Sequence, residues 1–433
     1  MTPWGRSERL RSRQLAPGPS TDRESVERNQ RERLFAATVA VVADKGYEAM
    51  TVADLVELAG VSRGAFYRLF ANKLECFLAT LDELLEMAGP SVLDVYYETE
   101  GSWDRRLGAM LESLAAMVVA QPAAARVAWV ELYAAGPEAV ERVERLDARV
   151  EAIVRTALRE SPEHADAPPE IVHAIIGGLR KIVHARLREN REAQLPELMP
   201  QLLEWMLSYR TPSEPLRRPV EPPPELAVER PPADDQRRRI IYALTDLVAE
   251  VGYPAVTITE IADRAAVSLT TFYGHFQGKE EALLATLADA QQRLLDTTLP
   301  AYLAAEDWTE ALSAAGRAFL GFLATDPATA HLGGVDVWAT GPAAFNLRAR
   351  GFASFTALLE DGYRRHPDTP PIAAEAIGAT VDALLFGQLR GKGAESVYEL
   401  VATVAFIAFA PFVGSERACE LANAAAAAVP AEA

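Results

Sequence analysis

Cysteine is all but missing from this chain: Cys76 and Cys419 are the only two in 433 residues. One thiol in each half, both on helical patterns, excludes a disulfide-built scaffold and fits a reducing compartment. Histidine is scarce too, and His164 and His173 do not stand at zinc-site spacing with any cysteine. No local motif suggests a Ser/His/Asp, Cys/His or paired-carboxylate set. The sequence therefore predicts no enzyme, no cofactor and no metal. Gly387–Gly393 faintly resembles a phosphate loop, but it is one residue short and has no Ser or Thr after Lys392. No apolar run with a cleavage site opens the sequence, so no secretory leader is expected. The longest greasy stretch, Leu400–Val413, is too short to span a bilayer comfortably and meets Pro411 near its end, so it reads as a buried helix. These absences predict a cytoplasmic protein with no membrane partner.

Strand-like alternation is missing as well, and the Ala-, Leu- and Glu-rich segments favour helices throughout. Positive charge is in deficit, with a formal net charge of −18. That predicts weak non-specific affinity for nucleic acid, although binding depends on local charge. Two stretches are close to neutral. Arg28–Glu75 holds seven basic and six acidic residues, and Asp235–Glu281 holds five and seven.

The first of these contains Thr51–Phe70, TVADLVELAGVSRGAFYRLF. Thr51 is a good N-cap, and Val52, Leu55, Val56 and Ala59 make one apolar helical face. Gly60 supplies the positive φ that a tight turn needs. Ser62 caps a second helix, on which Phe66 and Phe70 share one side while Arg63, Gly64, Tyr67 and Arg68 lie on the other. A buried aromatic side backed by an exposed side of arginine, glycine and tyrosine is what a helix entering a DNA major groove requires. The pattern returns as Thr257–Phe276, TITEIADRAAVSLTTFYGHF. From Gly46/Gly252 to Leu81/Leu287 there is no gap, and sixteen of the thirty-six positions are identical. Beyond that the helix breakers recur in order: Gln121-Pro122 with Asp326-Pro327, Gly136-Pro137 with Gly341-Pro342, and Pro168-Pro169 with Pro370-Pro371. Both halves thus read as the same all-α fold.

The expected boundaries follow. Residues 1–27, with five arginines and no apolar periodicity, read as a disordered basic arm. A first helix–turn–helix head spans 28–88, with a helix over Asn72–Ala88 leaving it, and a first helical domain spans 89–210. Residues 211–234 form a proline-rich linker, able to reach roughly 70 Å if fully extended. A second head spans 235–295, with Gly278–Gln292 as its leaving helix. A second helical domain spans 296–414, and an alanine-rich tail spans 415–433.

At Gly46-Tyr47, Thr51, Ala59-Gly60-Val61-Ser62, Phe66-Tyr67, Phe70 and Lys73 the sequence resembles the TetR family of bacterial transcription regulators. It does so again at Gly252-Tyr253, Thr257, Ala265, Val267-Ser268, Phe272-Tyr273, His275-Phe276 and Lys279-Glu280. The resemblance implies a three-helix DNA-binding head followed by a larger helical ligand domain, in each half. It also implies a pairing through the last two helices of each ligand domain, here within one chain. Pro169–Asn190 and Leu195–Tyr209 would then pack on Pro371–Lys392 and Glu395–Val413 as a four-helix interface, making a monomeric pseudo-dimer.

The implied partners are double-stranded DNA and a small hydrophobic or amphipathic ligand. Tyr67, Tyr273, Lys73 and Lys279 would contact phosphates, and Thr51 and Thr257 would contact phosphates or cap their helices. Ser62 and Ser268 open the reading helices. Arg63, Gly64 and Arg68 would read bases in the first head, arginine pairing best with guanine. The second head offers Leu269, Thr270, Tyr273 and His275, and no arginine, so the operator is expected to be asymmetric. Candidate pocket residues are Trp103, Trp129, Tyr133 and His173 in the first half, and Trp308, His331, Trp338 and Phe345 in the second. The function expected is a repressor released by ligand. The alternative is a ligand-binding or interaction module whose second head has lost DNA binding.

Overall fold

The computed structural model describes residues 2–5, 9–15, 22–219, 230, 232–340 and 342–427. Among them the chain is helical and holds no strand. The first head is α1 (Arg23–Ala49), α2 (Val52–Ala59) and α3 (Arg63–Leu69), and α4 (Lys73–Glu98) leads out of it. Local chemistry sets each boundary. Asp22 caps α1 by accepting from Ser25 N. Gly46, at φ 78°, breaks the helical backbone near its end. Thr51 and Asp54 form a reciprocal capping box that starts α2, and left-handed Gly60 ends it. Ser62 accepts from Ala65 N at 3.1 Å to start α3. Leu34, Leu55, Ala59, Phe66 and Phe77 fill the core between these helices, each fully buried. Burial of a side chain such as Phe66 contributes roughly 1.5–3 kcal/mol.

The remaining helices of the first half are α5 (Trp103–Ala120), α6 (Pro122–Ala135), α7 (Pro137–Leu158), α8 (Pro169–Arg188) and α9 (Leu195–Leu207). The second half repeats the order. Its head is α10 (Gln236–Val251), α11 (Ile258–Arg264) and α12 (Leu269–His275), followed by α13 (Lys279–Leu303). Then come α14 (Trp308–Thr325), α15 (Pro327–Gly334), α16 (Pro342–Thr356), α17 (Glu360–Arg365), α18 (Ala373–Lys392), α19 (Val401–Val413) and α20 (Ser415–Ala427). Proline occupies the first position of α6, α7, α8, α15 and α16, where its missing N–H costs nothing. The helices leaving the heads run about three turns further than Ala88 and Gln292, because Pro90 and Pro300 are carried inside them.

Contacts divide the chain into two compact units, Met1–Ser161 with Arg180–Leu203, and Pro162–Leu179 with Glu204–Ala433. In the first unit the head's core runs on into α6 and α7 through Val127, Leu132, Ala139 and Val143. Glu131 on α6 accepts the Tyr47 N–H at 2.9 Å. The stretch 1–27 differs from the disordered arm expected of it. Residues 1, 6–8 and 16–21 lie outside the described ones, but Leu10 is fully buried and the Trp4 ring packs 5.5 Å from that of Phe35. Arg11 Nε donates to Glu57 O at 2.9 Å. A single leucine and a tryptophan suffice to anchor a segment that has no periodicity to reveal it.

The second unit is built from both halves, so the expected boundary at 210/211 is not where compactness divides. Within it α8 and α18 approach closely at two glycines. A Cβ on Gly178 would fall 2.1 Å from Thr380 Oγ1 and 3.0 Å from Thr380 Cα, and one on Gly177 would fall 2.7 Å from Ala383 Cβ. At the end of α9, Trp205 and Tyr209 are buried, and Tyr209 Oη donates to Ile407 O at 3.0 Å. Ala394–Val413 is long and apolar enough to cross a membrane, yet 78% of it lies buried inside the protein.

The linker and tail also differ from expectation. Residues 220–229, 231 and 428–433 lie outside the described ones. Residues 211–218, however, lie along α20 instead of spanning open solvent. Arg217 N donates to Asn423 Oδ1 at 2.8 Å, Asn423 Nδ2 to Pro215 O at 3.2 Å, and Cys419 Sγ to Glu214 O at 3.3 Å. The expected tail is therefore a helix over Ser415–Ala427, with Ala418, Cys419 and Ala422 in its buried face. Arg230, further along the linker, grips Asp326 with both Nε and Nη2 and reaches Asp246 at 2.7 Å. Arg293 on α13 bonds the same Asp326 at 2.8 Å. Burial works to raise the Asp326 pKa, but the hydrogen bonds from Arg230, Thr329 and Arg293 outweigh it and hold it at about 2.

Two substitutions should move stability in opposite directions. Gly178→Ala should cost about 1–3 kcal/mol by overpacking the α8–α18 contact. Ala266 stands at φ 52°, where the first head has Gly60. Ala266→Gly should stabilise by about 0.5–1 kcal/mol, the relief of a left-handed alanine less the added chain entropy of glycine. Thermal unfolding of the full chain reads both.

Candidate nucleic-acid interface and cavities

In each head the second helix of the helix–turn–helix shows one face to solvent. On α3, Arg63, Gly64, Tyr67 and Arg68 are exposed, while Ala65 and Phe66 are buried. Neither Arg63 nor Arg68 has a hydrogen-bond or ion-pair partner among the described residues. Tyr67 is 57% exposed and stands edge-on to the Phe66 ring, 5.4 Å away. On α12, Leu269, Thr270, Tyr273, Gly274 and His275 are exposed, Tyr273 at 56%, with the same edge-on contact to Phe272 at 5.5 Å. Two upright phenols, held by buried phenylalanines, thus frame two unlike faces. The first carries two unpaired guanidinium groups, and the second carries a leucine, a threonine and an imidazole.

Thr51 and Thr257 are committed to capping. The Thr51 hydroxyl donates to Asp54 Oδ2 at 2.6 Å and accepts from Asp54 N at 3.2 Å. Thr257 does the same with Glu260, at 2.7 and 3.3 Å. Lys45, 2.6 Å from Asp54, and the Thr51 bonds hold the Asp54 carboxyl at about 2. Ser268 mirrors Ser62, accepting from Thr271 N at 3.0 Å.

Each of the two lysines expected at phosphates is engaged by carbonyls of its own head. Lys73 Nζ donates to Tyr47 O, Glu48 O and Met50 O at 3.2, 3.0 and 3.1 Å, which uses all three of its protons. It also lies 4.7 Å from the centre of the Tyr47 ring. Lys279 Nζ donates to Tyr253 O and Val256 O at 2.9 and 2.8 Å and lies 4.4 Å from the Tyr253 ring centre. Burial lowers the Lys279 pKa. Each ammonium closes its head by tying the start of the leaving helix to carbonyls at the end of the first helix and in the turn after it. The physical reason is that carbonyls at a helix end lack the usual donor four residues on: Tyr47 O and Tyr253 O take only a turn N–H, from Met50 at 3.2 Å and Val256 at 3.3 Å, and a cation is the strongest further partner available. The sequence signal was there: tyrosine and lysine recur at a spacing of 26 in both heads.

Sequence reasoning missed a matched pair of arginines. Arg31 on α1 and Arg237 on α10 are exposed and lie over the rings of Phe70 and Phe276, 5.7 and 5.3 Å from their centres. They put a cation at the end of each reading helix, including the arginine-free one. Two positions on, Arg33 and Arg239 turn inward. Arg33 Nη1 donates to Ala59 O at 2.7 Å and Arg239 Nε to Ala265 O at 3.1 Å, each at the turn between the two helices. Extending the repeat back by fifteen residues from Gly46 would have shown both pairs.

The expected pocket residues have these surroundings. Trp129 lies under the Arg180 guanidinium, 4.7 Å from its ring centre. Tyr133 stands edge-on to His184 at 5.8 Å. Trp103 is half-buried at the start of α5, and His173 is exposed on α8. Trp308 is core: it is buried, edge-on to Phe409 and Phe412, and donates to Leu358 O at 3.1 Å. His331 Nδ1 bonds Asp336 at 2.8 Å, which raises its pKa. Phe345 is half-buried on α16, and the Trp338 side chain lies outside the described ones.

None of these lines either of two clefts in the second unit. One lies among α14, α16, α18, α19 and α20. The other lies among α13, α14, α15, α16 and α18. Phe319 and Phe355 line both, their rings 5.3 Å apart. Small residues share the walls with the phenylalanines: Gly316, Gly378, Ala405 and Ala408 in the first cleft, Gly333, Gly334 and Gly351 in the second. Thr329, which receives Arg293 Nη2 at 3.0 Å, lines the second cleft and joins it to the Asp326 ion cluster.

The family profile described as bacterial regulatory proteins, tetR family, matches residues 34–80 and again 240–286. The HTH-type transcriptional activator FasR of Mycolicibacterium smegmatis is 35% identical over 97 residues, which are 22% of this chain and 44% of that protein. The HTH-type transcriptional regulator CymR of Pseudomonas putida is 46% identical over 54 residues, 12% of this chain and 27% of that one. The matches thus span less than half the length of these relatives. Among solved structures, the fatty acid degradation regulator FadR from Bacillus halodurans is similar at 17% identity and a TM-score of 0.38, over 45% of this chain and 97% of that one.

The lysine clip generates a test. Lys73→Met should destabilise the chain by about 2–3 kcal/mol, since charged hydrogen bonds are lost at a partly buried site. The slope of log affinity for duplex DNA against log salt should stay as it is, whereas loss of a phosphate contact would flatten it by about one.

Proposed function

The chain belongs to the tetR family of bacterial regulatory proteins, which it enters twice, and from that premise we propose that it is a sequence-specific regulator whose two heads read unlike half-sites of one operator. The observation that carries this is the exposed face of α3, where Arg63 and Arg68 stand unpaired beside Tyr67 on a helix whose other side is buried core. Unpaired guanidinium groups on a reading helix suit guanine O6 and N7. The second head keeps the tyrosine and the scaffold but offers Leu269 and Thr270, which suit thymine methyls, with Arg237 beside them for phosphate.

Both halves contribute to the second unit, through Gly178 against Thr380 and Tyr209 against Ile407. This supports a pseudo-dimer formed inside one chain. The clefts support a small hydrophobic or amphipathic ligand. Leu287, Ala290 and Leu294 of α13 line the second cleft, and α13 begins at the lysine that closes the second head. A ligand seated there bears on the helix that holds the head, which is the differential contact a switch requires. Repression released by ligand is the scheme we propose; the relative FasR is named as an activator, so a promoter–reporter assay with and without the protein reads the sign.

Selection from random duplex DNA, followed by footprinting, tests the asymmetry. We expect a site with two different half-sites, and enrichment of a symmetric site would overturn the reading. Enrichment of one half-site alone would favour a second head that no longer binds DNA. Arg63→Ala should weaken binding by about 1–3 kcal/mol and relax one half-site only.

A further inference from the structure

We propose that the two clefts of the second unit form one site for a single-chain amphiphile with an anionic head, the head held by Arg317 and the tail passing the Phe319–Phe355 pair into the second cleft. The proposal rests on the reading of this domain as ligand-binding and names the class of ligand.

The first cleft is walled by aliphatic, aromatic and small side chains, and Arg317 is its one charged lining residue. Arg317 is half-buried and has no hydrogen bond or ion pair among the described residues. Only Glu310 and Tyr398 act on it through space, and burial lowers its pKa. A desolvated guanidinium without a bonded partner recruits a carboxylate or similar oxyanion, and does so bidentately. The second cleft offers no such charge. Its Arg348 donates to Gly333 O at 2.6 Å and pairs with Asp382, so that end is electrically balanced. One cleft therefore selects an anion, and the other selects only apolar bulk.

The shape of the site narrows the class further. The clefts meet at two phenylalanines whose rings are 5.3 Å apart, and these separate two rooms that a wide polycyclic molecule could not occupy together. A methylene chain is slender enough to pass when the rings turn. Its affinity should then grow about three- to fourfold per added methylene, as expected for transfer of CH₂ out of water.

Two glycines allow the clefts to be filled one at a time. Gly316 lines the first and Gly333 the second, and a Cβ at either would meet nothing within 4 Å. The experiment is calorimetric titration of the full chain, without DNA, with straight-chain alkanoates of about eight to eighteen carbons and the matching 1-alkanols, below micellar concentrations. The unmodified chain should bind alkanoates in preference to alkanols, more tightly as the chain lengthens. Arg317→Gln should weaken alkanoates roughly tenfold and leave alkanols unchanged. Gly333→Phe should leave the shortest alkanoate unchanged and remove the gain with length, and Gly316→Phe should abolish binding of all. Equal affinity for alkanoate and alkanol, equal weakening of both by Arg317→Gln, or affinity independent of length would each overturn the proposal. No arm needs a folded glycine variant to decide between head groups. Because DNA is absent, a chain that binds alkanoates but no operator refutes the regulator reading alone. A chain that binds its operator but no alkanoate refutes this proposal alone.

Discussion

Two helices can meet backbone to backbone only where one of them has no side chain, and the second unit depends on such a place. Gly177 and Gly178 let α8 settle onto Thr380 and Ala383 of α18 at a distance no larger residue permits. With that seat fixed, the end of α9 falls against α19, where Trp205, Tyr209 and Phe406 bury one another. The chain then leaves Tyr209 beside Ser415, so that the start of the linker finds Cys419 and Asn423 of α20 within hydrogen-bond reach. Helix seat, aromatic layer and pinned linker form one dependent series, and each step supplies the surface for the next.

The heads show which parts of a reading domain are physically obligatory. Capping boxes at Thr51 and Thr257, lysine clips at Lys73 and Lys279, and inward arginines at Arg33 and Arg239 occur in both. Each satisfies backbone groups that a short helix–turn–helix leaves bare. Nothing in the scaffold constrains the outward face, and there the heads part, arginine standing in one where leucine stands in the other. The turn shows the limit of that tolerance. Gly60 and Ala266 hold the same left-handed position, and the alanine holds it at a cost the glycine does not bear.

Much of this was legible in the residues. The helix starts at Thr51, Ser62, Asn72, Thr257 and Ser268 are where the caps placed them, and the buried phenylalanines and exposed tyrosines follow from spacing alone. The misses have a common cause. Lys73 was assigned by its charge, but its partners are carbonyls that every sequence possesses and none displays. Leu10 and Trp4 anchor the amino-terminal segment singly, without a period. The clefts are walled by small and aliphatic residues among phenylalanines, and empty space leaves no mark in composition, whereas Trp308, conspicuous in the sequence, serves as packing.

The seat at Gly178 also imposes an order in time. Tyr209 and the carbonyl of Ile407 that it bonds lie 198 residues apart. A ribosome adding about 5–20 residues per second would need roughly 10–40 s to cover that distance. Through that interval Trp205, Tyr209 and the apolar side of α8 exist without the helices that will cover them. The first head, whose contacts are local, can close meanwhile. The second unit cannot, because α18 to α20 come last. Nascent chains should therefore pass through a state with one finished head and an exposed greasy flank, the stage at which this protein is most in need of a chaperone and most prone to pair with a neighbour emerging from the same message.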